Sequence, residues 1–191
     1  MKKIGLVISL LFGSLGFAQF ALTDVSEARF YINEVLMGND KEVIGTTNLV
    51  TGEVSFDLAN PQAAQVGTIT IDASDLTTDD NRRNNQLRNR ILQTGQYQFI
   101  TFTPTGITGI PETVAVGDSF EVEIIGDLTI KETTSSVTFA TTVTVVSENE
   151  ISGTGSTMIE YADYDIAIPS VPLVARVDQE VRLELAFVAA Q

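Results

Sequence analysis

The chain has 191 residues, 43% of them hydrophobic, with 11 basic and 25 acidic side chains, no histidine and no cysteine. A formal charge of −14 excludes nucleic acid and anionic membrane faces as partners, because both are held by clustered Lys and Arg that displace counterions. The lack of His and Cys excludes Ser-His-Asp and Cys-His nucleophilic sites, most transition-metal sites and disulfide staples, so apolar burial has to supply the stability.

In chain order, residues 1–18 carry the parts of a secretory signal peptide: Lys2 and Lys3, an apolar stretch from Ile4 to Leu15, and small Gly16 and Ala18 around Phe17. We expect cleavage after Ala18. The apolar stretch is too short for a membrane anchor, which needs ~20 residues. With no cysteine to follow the cut, a lipid anchor is not expected either. Loss of the leader removes two lysines and no acid, which leaves nine basic side chains against 25 acidic ones and a formal charge of −16. Residues 19–191 suit one domain, released to the periplasm or secreted.

Two-residue alternation runs through that domain: Val54, Phe56 and Leu58, then Ile69 and Ile71, Ile100 and Phe102, Leu128 and Ile130, Val137 and Phe139, and finally Val181, Leu183, Leu185 and Phe187. Alternation of this period predicts strands with one buried face. Frequent threonines between the apolar positions suit a half-exposed pleated surface. Turns are expected at Thr51-Gly52, Asn60-Pro61, Gly109-Ile110-Pro111, Gly117-Asp118 and Glu148-Asn149. Eight or nine strands without a linker predict an all-β domain whose single sheet closes on itself and so removes its exposed edges.

The stretch Asp79–Thr94 breaks the pattern and predicts one short helix, capped by Asp79 or Asp80, with Leu87, Ile91 and Leu92 on one side and Gly95 at its end. Its apolar side has to bury somewhere, and one end of the barrel is the natural place. Arg82, Arg83, Arg88 and Arg90 gather here on an otherwise acidic chain. Either they pair locally with Asp75, Asp79 and Asp80, or Arg82, Arg83 and Arg88 form a polar rim for a ligand's head group. Local pairing is the simpler account, and the two are compatible.

Three weaker constellations remain. Asp163 and Asp165 would point to one side of a strand, the minimum for a paired-carboxylate site, although a solvated face explains them as well. Asp79, Asp80 and Asn81 lack the glycine-centred loop of a calcium site, so helix capping accounts for them better. Gly153-Thr154-Gly155 has no following helix to make a phosphate loop and suggests a bend or bulge in a strand.

The stretch Ile71-Asp72-Ala73-Ser74-Asp75-Leu76-Thr77-Thr78-Asp79, continuing through Arg83-Asn84 and Leu87-Arg88 to Tyr97 and Phe102, resembles the central signature of the YceI-like polyisoprenoid-binding family. Gly126-Asp127-Leu128-Thr129-Ile130, Val137-Thr138-Phe139, Asp163-Tyr164-Asp165-Ile166 and Val181-Arg182-Leu183-Glu184-Leu185 extend the resemblance, which runs from about Phe30 to Ala189. It is loose between Phe30 and Gly45. Residues 168–172, Ile-Pro-Ser-Val-Pro, are a departure that would stiffen a loop at one rim.

The resemblance implies a lipocalin-like eight-stranded antiparallel β-barrel with one short helix over an end and an apolar pore for an isoprenoid or similar long-chain lipid. It implies no enzyme, no metal and no cofactor other than that bound ligand. By resemblance the pore-lining set is Phe56, Ile69, Ile71, Ile100, Phe102, Leu128, Ile130, Phe139, Leu183 and Leu185. The expected protein is an exported carrier with a lipid partner, no nucleic acid, and no membrane span once the leader is cut; a homodimer is compatible with it. A non-catalytic interaction barrel with a filled core and an acidic working surface is the alternative, since alternation cannot tell a pore from a packed interior.

Overall fold

A computed structural model describes residues 18–170 and 172–191. The expected signal peptide, apart from Ala18, lies outside the described residues. The alternating stretches form an antiparallel sheet of 13 strand segments that make up eight longer runs. The first run is β1 (Ala18–Leu22) and β2 (Glu27–Leu36), and the second is β3 (Asn39–Thr47), β4 (Val50–Thr51) and β5 (Glu53–Phe56). A third joins β6 (Gln65–Val66) to β7 (Ile69–Asp72). The others are β8 (Phe99–Thr108), β9 (Ser119–Ile130), β10 (Thr133–Ser147) and β11 (Glu150–Glu160), and, after the short flanking β12 (Val174–Val177), β13 (Glu180–Ala190).

The ladders make a circuit. β2 pairs with β3 from Ala28↔Thr47 to Leu36↔Asn39, and β1 continues that hairpin against β5. The second run passes to the third through Val50↔Ile71 and Val54↔Val66. Ile69↔Phe102 and Phe102↔Leu128 lead on to β8 and β9. β9 to β10, β10 to β11 and β11 to β13 follow as neighbours, and β13 returns to the first run through Leu183↔Phe30 and Leu22↔Ala189. This is the eight-stranded, lipocalin-like barrel, with bends dividing several strands.

Backbone chemistry explains where the chain reverses. Between Leu36 and Asn39 the two loop residues Met37 and Gly38 have φ of 52° and 82°, the primed hairpin turn whose twist matches the flanking strands. Gly109 and Gly117 adopt φ of 87° and 96° at turns expected from the sequence. Two expectations are corrected. Thr51-Gly52 is no turn: Gly52 joins β4 to β5 within one run, and a Cβ there would stand 2.4 Å from Ile69 Cδ1. Gly153-Thr154-Gly155 is no bulge, because these residues of β11 stay in register with both β10 and β13. The irregular pairings fall at Pro104/Gly106 and Val145/Ser147.

The helix is shorter than the stretch that predicts it. α1 spans Asn81–Gln86 and runs into a π-helical turn over Leu87–Ile91. Asp80 is the cap, its Oδ1 accepting from the N–H groups of Arg82 and Arg83 at 2.7 and 2.9 Å. Gln93, with φ of 52°, makes the left-handed exit that the sequence assigns to Gly95. Leu87 and Leu92 are buried and Ile91 packs beside them.

Two apolar clusters result. The larger includes Leu76, Leu87 and Leu92 beneath the helix, together with Phe102, Leu128, Ile130, Ile159, Tyr164 and Val181. The smaller closes the opposite end of the barrel with Phe20, Phe56, Val145, Ile151 and Ala189. Phe20 and Phe56 meet edge to face with ring centroids 6.5 Å apart.

Candidate functional site

Side chains that alternate inward from the eight runs converge on the barrel interior. Nine of the ten candidate lining residues (Ile69, Ile71, Ile100, Phe102, Leu128, Ile130, Phe139, Leu183 and Leu185) belong to or pack against the larger cluster. Phe56 lies in the smaller cluster, in the plug at the far end. Burial is uneven along the barrel. Leu76, Leu87, Leu92 and Tyr164 are buried at the helix end and Phe20, Phe56, Val145, Ile151 and Ala189 in the plug, whereas Phe139, Leu183 and Leu185, with Phe30, Ile124 and Val137, are only partly buried, as are Ile71 and Ile100 nearer the helix and Val54 and Phe187 nearer the plug. A belt of inward apolar side chains with surface left to cover therefore runs along the barrel.

Small residues give that belt its width. A Cβ on Gly45 would stand 2.0 Å from Phe30 Cε1, and one on Gly126 would stand 2.7 Å from Phe102 Cε2. Both rings therefore lie flat over a neighbouring strand's backbone. Phe102 also meets Phe139 edge to face, with centroids 4.9 Å apart.

The polar groups of the interior sit mainly at the helix end. Glu34 continues the inward series Ala28, Phe30, Ile32, and it is 8% exposed. Its carboxylate accepts from Arg83 Nη2 at 2.9 Å, while the other arm of Arg83 binds Asp79. Lys41 Nζ donates to Asp79 at 2.8 Å, so two cations and two carboxylates tie the helix to the β2–β3 hairpin. Hydrogen bonds from Lys41 and Arg83 hold the Asp79 carboxyl below the ordinary aspartate range. Asn84 is buried and its Oδ1 accepts from the Thr78 N–H and hydroxyl, both at 2.7 Å.

The arginines divide by environment. Arg83 is engaged as described, and Arg88 donates through Nε to the Leu76 carbonyl at 3.3 Å. Arg82 and Arg90 are exposed. Asp75, the third expected partner, accepts from the Thr47 hydroxyl at 3.2 Å instead, and Asp80 is occupied as the cap. Sequence reasoning missed Glu34 as the principal partner of Arg83, although the two-residue phase from Ala28 to Ile32 already points it inward.

Asp163 and Asp165 do not share a strand face. They fall on and just after a 3₁₀ turn over Tyr161–Tyr164, both exposed, and Asp165 takes a φ of 51° while accepting from Thr133 at 3.2 Å. The residue between them is buried: Tyr164 is 1% exposed, and its hydroxyl has no hydrogen-bond partner among the described residues. Burial pushes its acidity constant up, the nearby Ser135 hydroxyl acts in the opposite sense, and the Asp163 charge adds to the rise. Among the described residues no group of three or more acidic side chains is arranged to hold a metal ion, and no helix is long and apolar enough to cross a membrane.

Comparison with known proteins agrees with this architecture. A UPF0312 protein of Vibrio vulnificus is 26% identical over 146 residues, which cover 73% of this chain and 72% of that protein. BcnA of Burkholderia cenocepacia superposes with a TM-score of 0.66 at 21% identity, covering 86% of this chain and 96% of BcnA. A polyisoprenoid-binding domain from Saccharophagus degradans, implicated in plant cell wall breakdown, superposes with a TM-score of 0.67 at 15% identity, covering 92% and 99%. At these identities the two structures speak for the fold. The YceI-like domain model matches residues 22–189, nearly the whole sheet circuit, and the chain belongs to the YceI-like family.

Proposed function

We propose that this chain is an exported, non-catalytic binding protein that holds the tail of a polyisoprenoid or similar long-chain amphiphile inside its barrel. The observation that carries the reading is the belt of partly buried apolar side chains, Phe139, Leu183 and Leu185 among them, that runs along the barrel interior. A tail laid along that belt would gain roughly 25 cal/mol per Å² of apolar surface removed from water, less the cost of ordering the ligand. Family membership and the isoprenoid-binding description of the Saccharophagus degradans domain support the same ligand class. Export rests on the leader read from residues 1–18. It predicts that protein recovered from outside the cytoplasm begins at Gln19, which N-terminal sequencing would establish.

The ligand is tested by native mass spectrometry and lipid extraction of protein purified from its own compartment, followed by titration with the isoprenoid alcohol geranylgeraniol. Leu183→Gln is expected to weaken that binding about tenfold while leaving the sheet signature in circular dichroism unchanged. A co-purified lipid and a selective loss of binding support the carrier. A protein that carries no lipid and binds no probe would sink it.

A further inference from the structure

We infer that Gly45 is a specificity-determining residue of the interior: by leaving the wall bare it seats the Phe30 ring there and keeps the bore wide enough for a methyl-branched tail. The inference rests on the carrier reading and adds to it what selects the tail. Phe30 and Gly45 stand opposite each other on β2 and β3. Where a Cβ on Gly45 would stand, the three nearest atoms are all carbons of the Phe30 ring, at 2.0, 2.4 and 2.8 Å. The backbone does not ask for glycine here. Gly45 lies outside the left-handed region that Gly38, Gly109 and Gly117 adopt, and a glycine inside a strand weakens it.

Two other inward rings lie over glycines, and they differ from Phe30. A Cβ on Gly126 would stand 2.6 Å from the Thr103 carbonyl oxygen, and one on Gly153 2.1 Å from that of Thr142, so backbone alone excludes a side chain at both positions. Phe102 is moreover buried, between Gly126 and Phe139. Phe30 is within reach of a ligand. Its other ladder neighbour is Leu183, which pairs in turn with Thr157, and all three inward side chains are only partly buried. With one side of the ring against Gly45, its uncovered surface belongs to the side that faces the interior. An isoprenoid tail carries a methyl branch on every repeat and is wider in cross-section than a straight alkyl chain. A methyl group added at residue 45 cannot share the seat, so the ring would have to swing off the wall into the bore, and the space lost there is lost first to the wider tail.

Phytanol and hexadecanol test this directly, since they share main-chain length and terminal hydroxyl and differ only in the methyl branches of phytanol. The native protein is expected to bind both. Gly45→Ala should weaken phytanol binding about tenfold and hexadecanol binding less than about twofold. Adding Phe30→Leu to Gly45→Ala should restore phytanol affinity to within about twofold of that of Phe30→Leu alone, because the ring that blocked the bore is gone. An equal loss for both alcohols, no loss for either, or no recovery in the double variant would each overturn the inference. So would a native protein that takes hexadecanol and refuses phytanol. A Gly45→Ala chain that fails to fold would overturn it too, since the ring would then have no free space to move into. If the native protein binds both alcohols and Gly45→Ala does so equally well, the seat falls while the carrier stands; if the native protein binds neither, both fall.

Discussion

The two ends of the barrel are closed by different chemistry. Phe20, Phe56, Val145, Ile151 and Ala189 fill one end with apolar side chains alone, and Val145 and Ala189 have no exposed surface. The other end is covered by a six-residue helix and a π turn. Leu87 and Leu92 pack downward there, and the ion pairs of Glu34, Arg83, Asp79 and Lys41 hold the cover laterally. Dispersion packing has no cheap intermediate state, whereas ion pairs and a short irregular helix can be exchanged for water at modest cost. The first end is closed by packing alone, and the second by packing together with ion pairs.

The contrast can be broken first at the plug. Phe20→Ala should remove ~3–5 kcal/mol of stability, measured by denaturant unfolding, and leave the preference among isoprenoid probes unchanged. At the helix end, Arg83→Ala strands Glu34, whose side chain is only 9% exposed. A loss of about 2–3 kcal/mol is expected, below that for a wholly buried pair because Arg83 is 23% exposed. Replacing Glu34 by Gln in the same protein should recover much of it, and a double-mutant cycle would read the coupling. An unchanged Arg83→Ala melting curve would show that the helix is held by Leu87 and Leu92 alone.

The smallest effect is that of acid. Asp79 has its acidity constant lowered by hydrogen bonds from Lys41 and Arg83, and Asp80 by the N–H groups of Arg83 and Arg82. Each therefore stabilises the fold fully above the unfolded aspartate value of about 3.9, and that stability is lost as the pH falls through the lower folded values. Asp79 is 60% exposed, so its share stays below about 1 kcal/mol. Amide protection, taken relative to the intrinsic exchange rate at each pH, should accordingly fall over residues 81–92 below about pH 4 before it changes around Phe20 and Val145. Equal loss of protection at both ends would remove the distinction between them.

Legibility in the sequence followed the same division. Strands from Val54 onward announce themselves by alternation, because each has one dry face. The β2–β3 hairpin does not, since Tyr31 and Val35 are apolar on the outer face and Glu34 is charged on the inner one. Tyr31 is covered from outside by the Arg182 guanidinium, 3.6 Å from its ring centroid. Glu34 is tolerated because Arg83, 49 residues on, reaches it. Phe56 has the inward phase of a lining residue and still ends in the plug, because phase gives the face of a strand and not the height along the barrel. Asp163 and Asp165 look like a pair only if their segment is extended, and a 3₁₀ turn separates them.

The sequence by itself determined the all-β class, the turn at Gly117, a helix cap at Asp79 or Asp80 and, through its resemblance to a known family, the family and a set of inward apolar positions, nine of which meet in the larger cluster. The first three follow from local rules: period two, turn dihedrals, and an oxygen placed to accept the first free N–H groups of a helix. Tertiary structure alone decided which ladders close the circuit, how far along the barrel each inward side chain falls, and which polar groups are paired or left over. Those outcomes depend on contacts between residues far apart in the chain. Glu34 with Arg83, Phe102 over Gly126 and the solitary hydroxyl of Tyr164 become definite only once every strand has found its neighbour.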